Sequence, residues 1–172
     1  MKNGKAQNFI RYLSKLASGE RPDTGALAAL KRSVAFEPGS YPPSFPYVEP
    51  WTEGLEGWPR KAYYLVAGLF ARHQKHQENR PFARAYRDEK ERRGSESLEQ
   101  RFLALLDADE EELVYRLRQA VALLAEQAFD WARLLEDLLT WHIAEPRDRT
   151  KVTWARQFYG GQPAGTQGGE GE

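Results

Sequence analysis

Apolar residues recur every three or four positions along most of the chain, and this spacing predicts amphipathic helices. Predicted helices cover residues 8–17, 26–32, 59–74, 97–106 and 148–159, and two more include the apolar positions of 113–124 and 134–141. Residues 80–93 are polar and rich in arginine, which indicates either a short helix or an ordered basic loop. Because no segment alternates with the period of a β-strand, we predict an all-α protein folded as a compact multi-helix bundle.

One long segment departs from this pattern. Residues 37–59 hold six prolines and five aromatic residues. Proline interrupts helices and central strands, whereas so many aromatic side chains are too apolar for a solvated linker. We therefore predict a long, ordered and irregular loop after the second helix. The helix that follows, residues 59–74, is apolar nearly all round and is predicted to be buried at the centre.

Length and composition narrow the class of protein. The 172 residues suit one all-helical domain over residues 1–160, followed by a Gly-rich segment at 161–172 that is predicted to be disordered. Absence of cysteine excludes disulfides and thiolate chemistry. The basic N-terminus has no apolar stretch after it, and the longest apolar run, residues 62–71, is half of a membrane span. We expect a cytoplasmic protein.

The formal net charge of zero conceals strong segregation along the chain. Residues 60–93 contain ten Lys or Arg against four acids, a net charge of +6, and residues 1–36 carry a net +5. Residues 94–145 contain four basic and twelve acidic residues, a net charge of −8. Such a chain can present a basic surface to a polyanion and an acidic surface to other proteins. The same charges could also interleave on an ordinary solvated surface.

The basic residues are mainly arginine, with 17 Arg against 8 Lys, and guanidinium groups bind phosphates through two hydrogen bonds. Arg60 and Lys61 lie in the first turn of a predicted helix, where the helix dipole disfavours cations. Such a broken local rule suggests function. Arg116 and Arg118 should flank opposite edges of their helix, so not all of the arginines can face one ligand.

Catalytic and metal sites are weakly supported. His73 and His76 lack a convincing third ligand, and a helix C-terminus explains the pair better. The acidic residues 107–112 could suggest a two-metal nuclease, but residues 107–110 are explained more simply as a capping box that opens the next helix. Asp130 is predicted to cap the helix after that. No phosphate-binding glycine motif is present. We predict no enzyme activity, no cofactor and no metal.

The chain resembles the CasB family, the small subunit of the type I-E CRISPR complex called Cascade. The resemblance is carried, in order, by Lys31 and Arg32, LVAGLFARH at 65–73, FARA at 82–85, RFLALLDAD at 101–109, DW at 130–131, LTW at 139–141 and WARQFY at 154–159. It implies an all-helical, non-catalytic protein that is present in two copies, contacts other Cascade subunits and helps to hold guide RNA and target DNA.

The resemblance and the charge pattern together give the candidate nucleic-acid-binding residues. These are Lys31, Arg32, Arg60, Lys61, Arg84, Arg87, Arg101, Arg116, Arg118, Arg147 and Arg149. We expect no membrane contact and no small-molecule substrate. Two other functions remain open: a structural adaptor whose basic surface binds acidic proteins, and a free-standing helical DNA-binding protein with a recognition helix.

Overall fold

The structure is a computed structural model that describes residues 2–124 and 126–160. This part of the chain is helical and has no β-strand, which confirms the all-α prediction. The helices are α1 (Lys2–Ser18), α2 (Thr24–Ser33), α3 (Phe45–Val48), α4 (Trp58–Arg72), α5 (Phe82–Arg93), α6 (Glu96–Leu106), α7 (Glu110–Leu123), α8 (Trp131–Leu139) and α9 (Ala144–Tyr159). The predicted tail at 161–172 lies outside the described residues.

Helix α4 is the centre of the bundle. Its residues 62–71 are all buried, and it packs against α1, α2, α7 and α8. The indole N–H of Trp58 donates to the carbonyl of Leu138 at 2.6 Å, which ties the start of α4 to the end of α8. The apolar character on every side of this segment therefore predicted its central position correctly.

None of the helices in the described residues is long and apolar enough to cross a membrane.

Helix α2 approaches α4 closely at Gly68. A β-carbon at this position would lie 2.9 Å from both the Ser33 hydroxyl oxygen and a methyl group of Val34. Glycine therefore lets the C-terminal turn of α2 rest almost directly on the α4 backbone. This contact sets the position of Lys31 and Arg32, which lie in that same last turn.

The proline-rich segment is ordered as predicted, but its middle is helical and not irregular. Residues 42–52 form consecutive short helical turns, namely the 3-10 helix Pro42–Ser44, α3 and the 3-10 helix Glu49–Thr52, whereas residues 37–41 and 53–57 lie outside any helix. Each turn has a proline at its first or second position. The missing proline N–H costs nothing there, because first-turn N–H groups have no acceptor within the helix.

The second half of the bundle contains α5, α6, α7 and α9. Residues 80–93, for which a helix or a loop was possible, form the helix α5, which packs against α6 and α9. Phe102 of α6 and Phe158 of α9 stack with ring centroids 4.2 Å apart. Helix α7 contacts α4, and the ring of Phe129 contacts Phe82. The buried apolar side chains form a continuous cluster from α1 to α9.

The predicted cap Asp130 is confirmed, whereas the capping box predicted over residues 107–110 is replaced by a single cap at Asp109, because Asp107 still belongs to the end of α6. A carboxylate oxygen of Asp109 accepts from the Glu112 N–H at 2.9 Å, and one of Asp130 accepts from the Arg133 N–H at 3.1 Å. The last helix was predicted to begin at residue 148, after Pro146, but α9 begins at Ala144 and includes this proline. Pro146 lies in the first turn, where its missing N–H again costs no hydrogen bond.

A partly buried carboxyl links α8 to α9. Asp137 accepts a hydrogen bond from the indole N–H of Trp154 at 2.8 Å. Burial raises the pKa of Asp137 from 3.8 to about 6, more than the Trp154 hydrogen bond lowers it. The folded protein therefore disfavours the ionised form of this residue.

We predict that Gly68→Ala lowers the free energy of unfolding by about 1–2 kcal/mol, because overpacking against Ser33 and Val34 outweighs the better helix propensity of alanine. Gly4→Ala is the matched control, since no atom lies within 4 Å of a β-carbon there. It should raise the free energy of unfolding by about 0.5–1 kcal/mol. Urea unfolding measures both, and equal effects of the two variants would contradict the close approach of α2 to α4.

We predict that Asp137→Asn stabilises the protein in a pH-dependent way. The parent carboxyl ionises near pH 6 when folded and near its ordinary 3.8 when unfolded, so stability is lost as pH rises between these values. Asparagine keeps an acceptor for Trp154 without the charge. Its gain should be small at about pH 4 and reach up to about 3 kcal/mol at about pH 8. Urea unfolding across this range tests it, and a gain independent of pH would be inconsistent with the raised pKa.

Candidate nucleic-acid interface

Most cations of the basic stretch 60–93 are bound within the fold. Those paired with carboxylates are Arg60, Lys61, Lys75, Arg80, Arg87, Lys90, Arg92 and Arg93. The remaining two also contact the protein, since the Nε–H of Arg72 donates to the Lys31 carbonyl and that of Arg84 to the Gln157 carbonyl. The net charge of this stretch therefore overstates the basic surface that it presents.

Glu89 organises part of this internal charge. Only 1 % of its side chain is exposed, and its carboxylate accepts from Arg92, Arg93 and Gln127. The hydrogen bond from Arg92, with support from Arg93, lowers the pKa of Glu89 to about 2. Gln127 also accepts from Arg80 at 2.7 Å. These bonds fix the connection between α7 and α8 on α5.

Arg60 and Lys61 fasten the proline-rich segment to α4. Arg60 pairs with Glu49 at 2.9 Å and lies over the rings of Phe45 and Tyr64, 5.4 and 4.8 Å from their centroids. Lys61 pairs with Glu37 at 3.3 Å. The acidic partners offset the unfavourable position of both cations in the first turn of α4. A structural role thus explains why two cations lie in the first turn of a helix, the feature that had suggested function.

Arg84 and Arg87 hold the C-terminal end of α9. Arg87 donates to the carbonyls of Phe158 at 3.0 Å and Gly160 at 2.9 Å, while Arg84 donates to Gln157 at 3.1 Å. The last carbonyls of a helix lack partners within it, and cations there also complement the helix dipole. Both arginines therefore stabilise the α5–α9 contact.

Cations from three separate helices meet where α2, α4 and α7 come together. Arg72, at the end of α4, donates to the carbonyl of Lys31, and Arg118 of α7 donates to the carbonyl of Phe36 at 2.6 Å. Both arginines line a cavity of about 280 Å³. Lys31 and Arg32 lie exposed in the last turn of α2. We call Lys31, Arg32, Arg72 and Arg118 the basic groove.

The basic groove differs from the rest of the basic stretch in its charge balance. Its four cations have no ion-pair partner among residues 2–124 and 126–160. Burial lowers the pKa of Arg118, partly offset by Glu37, and the Nε–H of Arg118 is buried without an acceptor in the described residues. His73 lines the same cavity, but burial lowers its pKa and favours the neutral form. The groove can therefore attract anions.

The opposite edge of α7 forms a separate basic site. Arg101 and Arg116 line a small cleft together with Tyr86 and Gln119. Arg116 pairs with Glu112 at 3.6 Å. Arg101 is exposed and has no ion-pair partner in the described part of the chain. The prediction that Arg116 and Arg118 point to opposite sides of α7 is confirmed.

Two further candidates lie on α9, which packs against α5 and α6. Arg147 pairs with the neighbouring Asp148 at 3.5 Å, and Arg149 is exposed. Neither arginine shares a cavity with the groove cations in the described part of the chain. The eleven candidates therefore divide among several places. Arg118 lines the groove cavity with Arg72, and Lys31 and Arg32 lie exposed in the last turn of α2, where the Lys31 carbonyl bonds to Arg72.

His73, His76 and two residues of the acidic cluster have structural partners. The Nε2 atom of His73 lies 2.8 Å from the Gln127 carbonyl, and Nδ1 of His76 accepts from the Trp131 N–H at 3.2 Å. Asp109 serves as the α7 cap described above. Within the described residues, no group of three His, Asp or Glu side chains is arranged to hold a metal ion.

The family model of the CRISPR-associated protein Cse2 matches residues 26–159. The chain belongs to the Cse2 family. A curated Cse2 protein of Thermus thermophilus is 46% identical over 158 residues, which cover 90% of this chain and 89% of the relative. The crystal structure of CasB from Thermus thermophilus matches with a TM-score of 0.79 and 44% identity, covering 91% of this chain and 98% of that one. The resemblance to the CasB family is confirmed.

A more distant structure shares the fold of this Cse2-family chain. It is a chain of a solved CRISPR RNA-guided surveillance complex, with a TM-score of 0.72 and 21% identity, covering 92% of each chain. At this level of identity the likeness describes the helical architecture alone.

Arg72 is the groove residue that sequence reasoning missed in this Cse2-family chain. It lies in the segment 65–73 that helps to carry the family resemblance, but its place beside Lys31 depends on contacts across 41 positions of sequence. Its position in the last turn of α4 was the available signal, because cations there are favoured by the helix dipole and commonly remain exposed.

We predict that Arg87→Ala lowers the free energy of unfolding by about 1–3 kcal/mol, because carbonyls of Phe158 and Gly160 lose a charged donor. Amide hydrogen exchange should rise in residues 154–160. Arg149→Ala, an exposed change on the same helix, should alter stability by less than about 0.5 kcal/mol. Unfolding and exchange measurements compare the variants. Equal stability of Arg87→Ala and the parent would rule out a stabilising role at α9.

Proposed function

We propose that this chain is the non-catalytic small subunit of a type I-E CRISPR RNA-guided surveillance complex. It works in the cytoplasm, assembles in two copies with other Cascade subunits, and supports guide RNA and target DNA through a basic surface without reading their sequence. The names of its relatives, a CRISPR-associated Cse2 protein and a CasB protein, support this proposal. The basic groove is the observation that carries the nucleic-acid part.

The groove is suited to phosphates rather than to base edges. Arg72 at the end of α4 and Arg118 of α7 line a concave surface, and Lys31 and Arg32 lie exposed in the last turn of α2 beside it. No recognition helix projects from this site, because α2, α4 and α7 are packed against the bundle. In an RNA-guided complex, base pairing with the guide supplies the sequence specificity, and protein cations need only follow the backbone.

Arg101, Arg116, Arg147 and Arg149 extend this proposal to neighbouring surfaces. Arg101 and Arg149 are exposed, so each can contact a phosphate without first leaving a carboxylate. Arg60, Lys61, Arg84 and Arg87 contribute positive potential, but their side chains also hold the fold together. We propose that they are secondary contacts at most, since binding through them would sacrifice internal hydrogen bonds.

The acidic part of the chain is proposed to face other protein subunits. Acidic residues surround α6 and α7, and large apolar side chains are exposed on the same two helices, with Leu103 46% and Tyr115 57% exposed. Exposed apolar groups beside charges are typical of protein interfaces. The carboxylates have no proposed catalytic role, because Asp109 caps α7 and Glu112 pairs with Arg116.

We predict that Arg32→Ala and Arg101→Ala each weaken nucleic-acid binding about equally for unrelated sequences. Each should lower the slope of log affinity against log salt concentration by roughly 1, since one phosphate contact is lost. Arg21→Ala is the matched control, because Arg21 is also exposed but lies before α2, away from the groove. Fluorescence anisotropy with labelled oligonucleotides over a range of salt concentrations measures these effects.

Different results would support the other functions. Loss of binding for one sequence only would favour a free-standing DNA-binding protein. The adaptor function would be favoured if Arg32→Ala kept its affinity for oligonucleotides but failed to assemble with co-expressed Cascade subunits. Native mass spectrometry of the co-expressed proteins reports both assembly and the number of copies.

A further inference from the structure

An exposed aromatic residue is attached to the basic groove through its backbone, because its carbonyl accepts a hydrogen bond from Arg118. Phe36 follows the end of α2 and is 40% exposed. The ring of Tyr41 stacks on it, with centroids 4.6 Å apart and an angle of 19° between the planes. One face of Phe36 is thus covered by another aromatic ring, while much of the residue remains accessible to a ligand.

The position of Phe36 is fixed on both sides. Its N–H donates to the Ser33 carbonyl at 3.0 Å, which continues the last turn of α2. Its own carbonyl accepts from Arg118 at 2.6 Å. The backbone of Phe36 is therefore held between the end of α2, which carries Arg32, and Arg118 of α7.

A ring in this environment matches the chemistry of an unpaired nucleotide. Bases stack on aromatic side chains whatever their sequence, and the adjoining phosphates are attracted to nearby cations. The Tyr41 ring supports Phe36 from one side, so a base stacked on the accessible surface would continue an existing aromatic stack. Bases within a duplex are already stacked on each other and cannot occupy this place.

We propose that Phe36 stacks on one unpaired base of a nucleic-acid strand whose phosphates contact the basic groove. This inference rests on the proposed function and goes further, because it identifies a single strand as the ligand and an aromatic residue as the contact to its bases. The contact is independent of base identity, in agreement with a surface that does not read sequence.

The test compares a single-stranded oligothymidylate with an abasic oligonucleotide of the same length, each titrated with the full chain. We expect Phe36→Ala to weaken binding of the oligothymidylate about fivefold or more and to leave binding of the abasic strand unchanged. Phe36→Trp should retain the preference for bases, whereas Phe36→Leu should lose it. Tyr159→Ala, which removes another exposed aromatic residue on α9, should not change the preference.

A second measurement locates the contact. An oligonucleotide that carries 5-iodouracil should crosslink under light to the tryptic peptide containing Phe36 in the parent protein and not in Phe36→Ala. Circular dichroism of each variant establishes that it is folded.

The outcomes separate the two proposals. The stacking role is overturned if Phe36→Ala has no effect and no crosslink forms at this peptide. Phosphate binding still stands in that case, provided that both oligonucleotides bind in a salt-dependent way. Failure of the parent to bind either strand overturns both. If Phe36→Ala affects only assembly with co-expressed subunits, the ring contacts protein and the stacking proposal is wrong.

Discussion

The close contact of α2 with α4 at Gly68 is the constraint on which the basic surface depends. It brings the last turn of α2 onto the α4 backbone, so the carbonyl of Lys31 comes within reach of Arg72. The chain then turns through Phe36, whose carbonyl meets Arg118 of α7. A larger residue at position 68 would separate these three helices, and the groove would widen before any of its cations was altered.

Arginine performs two different tasks in this fold. Arg80, Arg87 and Arg93 use their several N–H groups to satisfy carbonyls at the ends of distant helices and loops, which a lysine could not do with the same geometry. Arg32 has no such partner in the described residues. A high proportion of arginine can therefore reflect either hydrogen bonding within the fold or anion binding. The two roles are distinguished by whether each arginine has an acceptor within the protein.

The sequence was sufficient to predict what depends on local spacing. The helical class, the buried α4, the cap Asp130 and the opposed directions of Arg116 and Arg118 all follow from helical geometry. The proline-rich turns and the start of α9 were missed, because proline is excluded from helix interiors but not from first turns. The α9 carbonyls that accept from Arg84 and Arg87 lie more than 70 positions away, so no local pattern could reveal these contacts.

The prolines of residues 37–59 have an energetic consequence for the groove. Proline restricts the backbone of the unfolded chain, so less conformational entropy is lost when this segment is ordered. The segment contains Tyr41, which supports the ring of Phe36. The backbone next to the groove is therefore restricted already in the unfolded chain. A ligand that binds there would cause only a small further loss of conformational entropy.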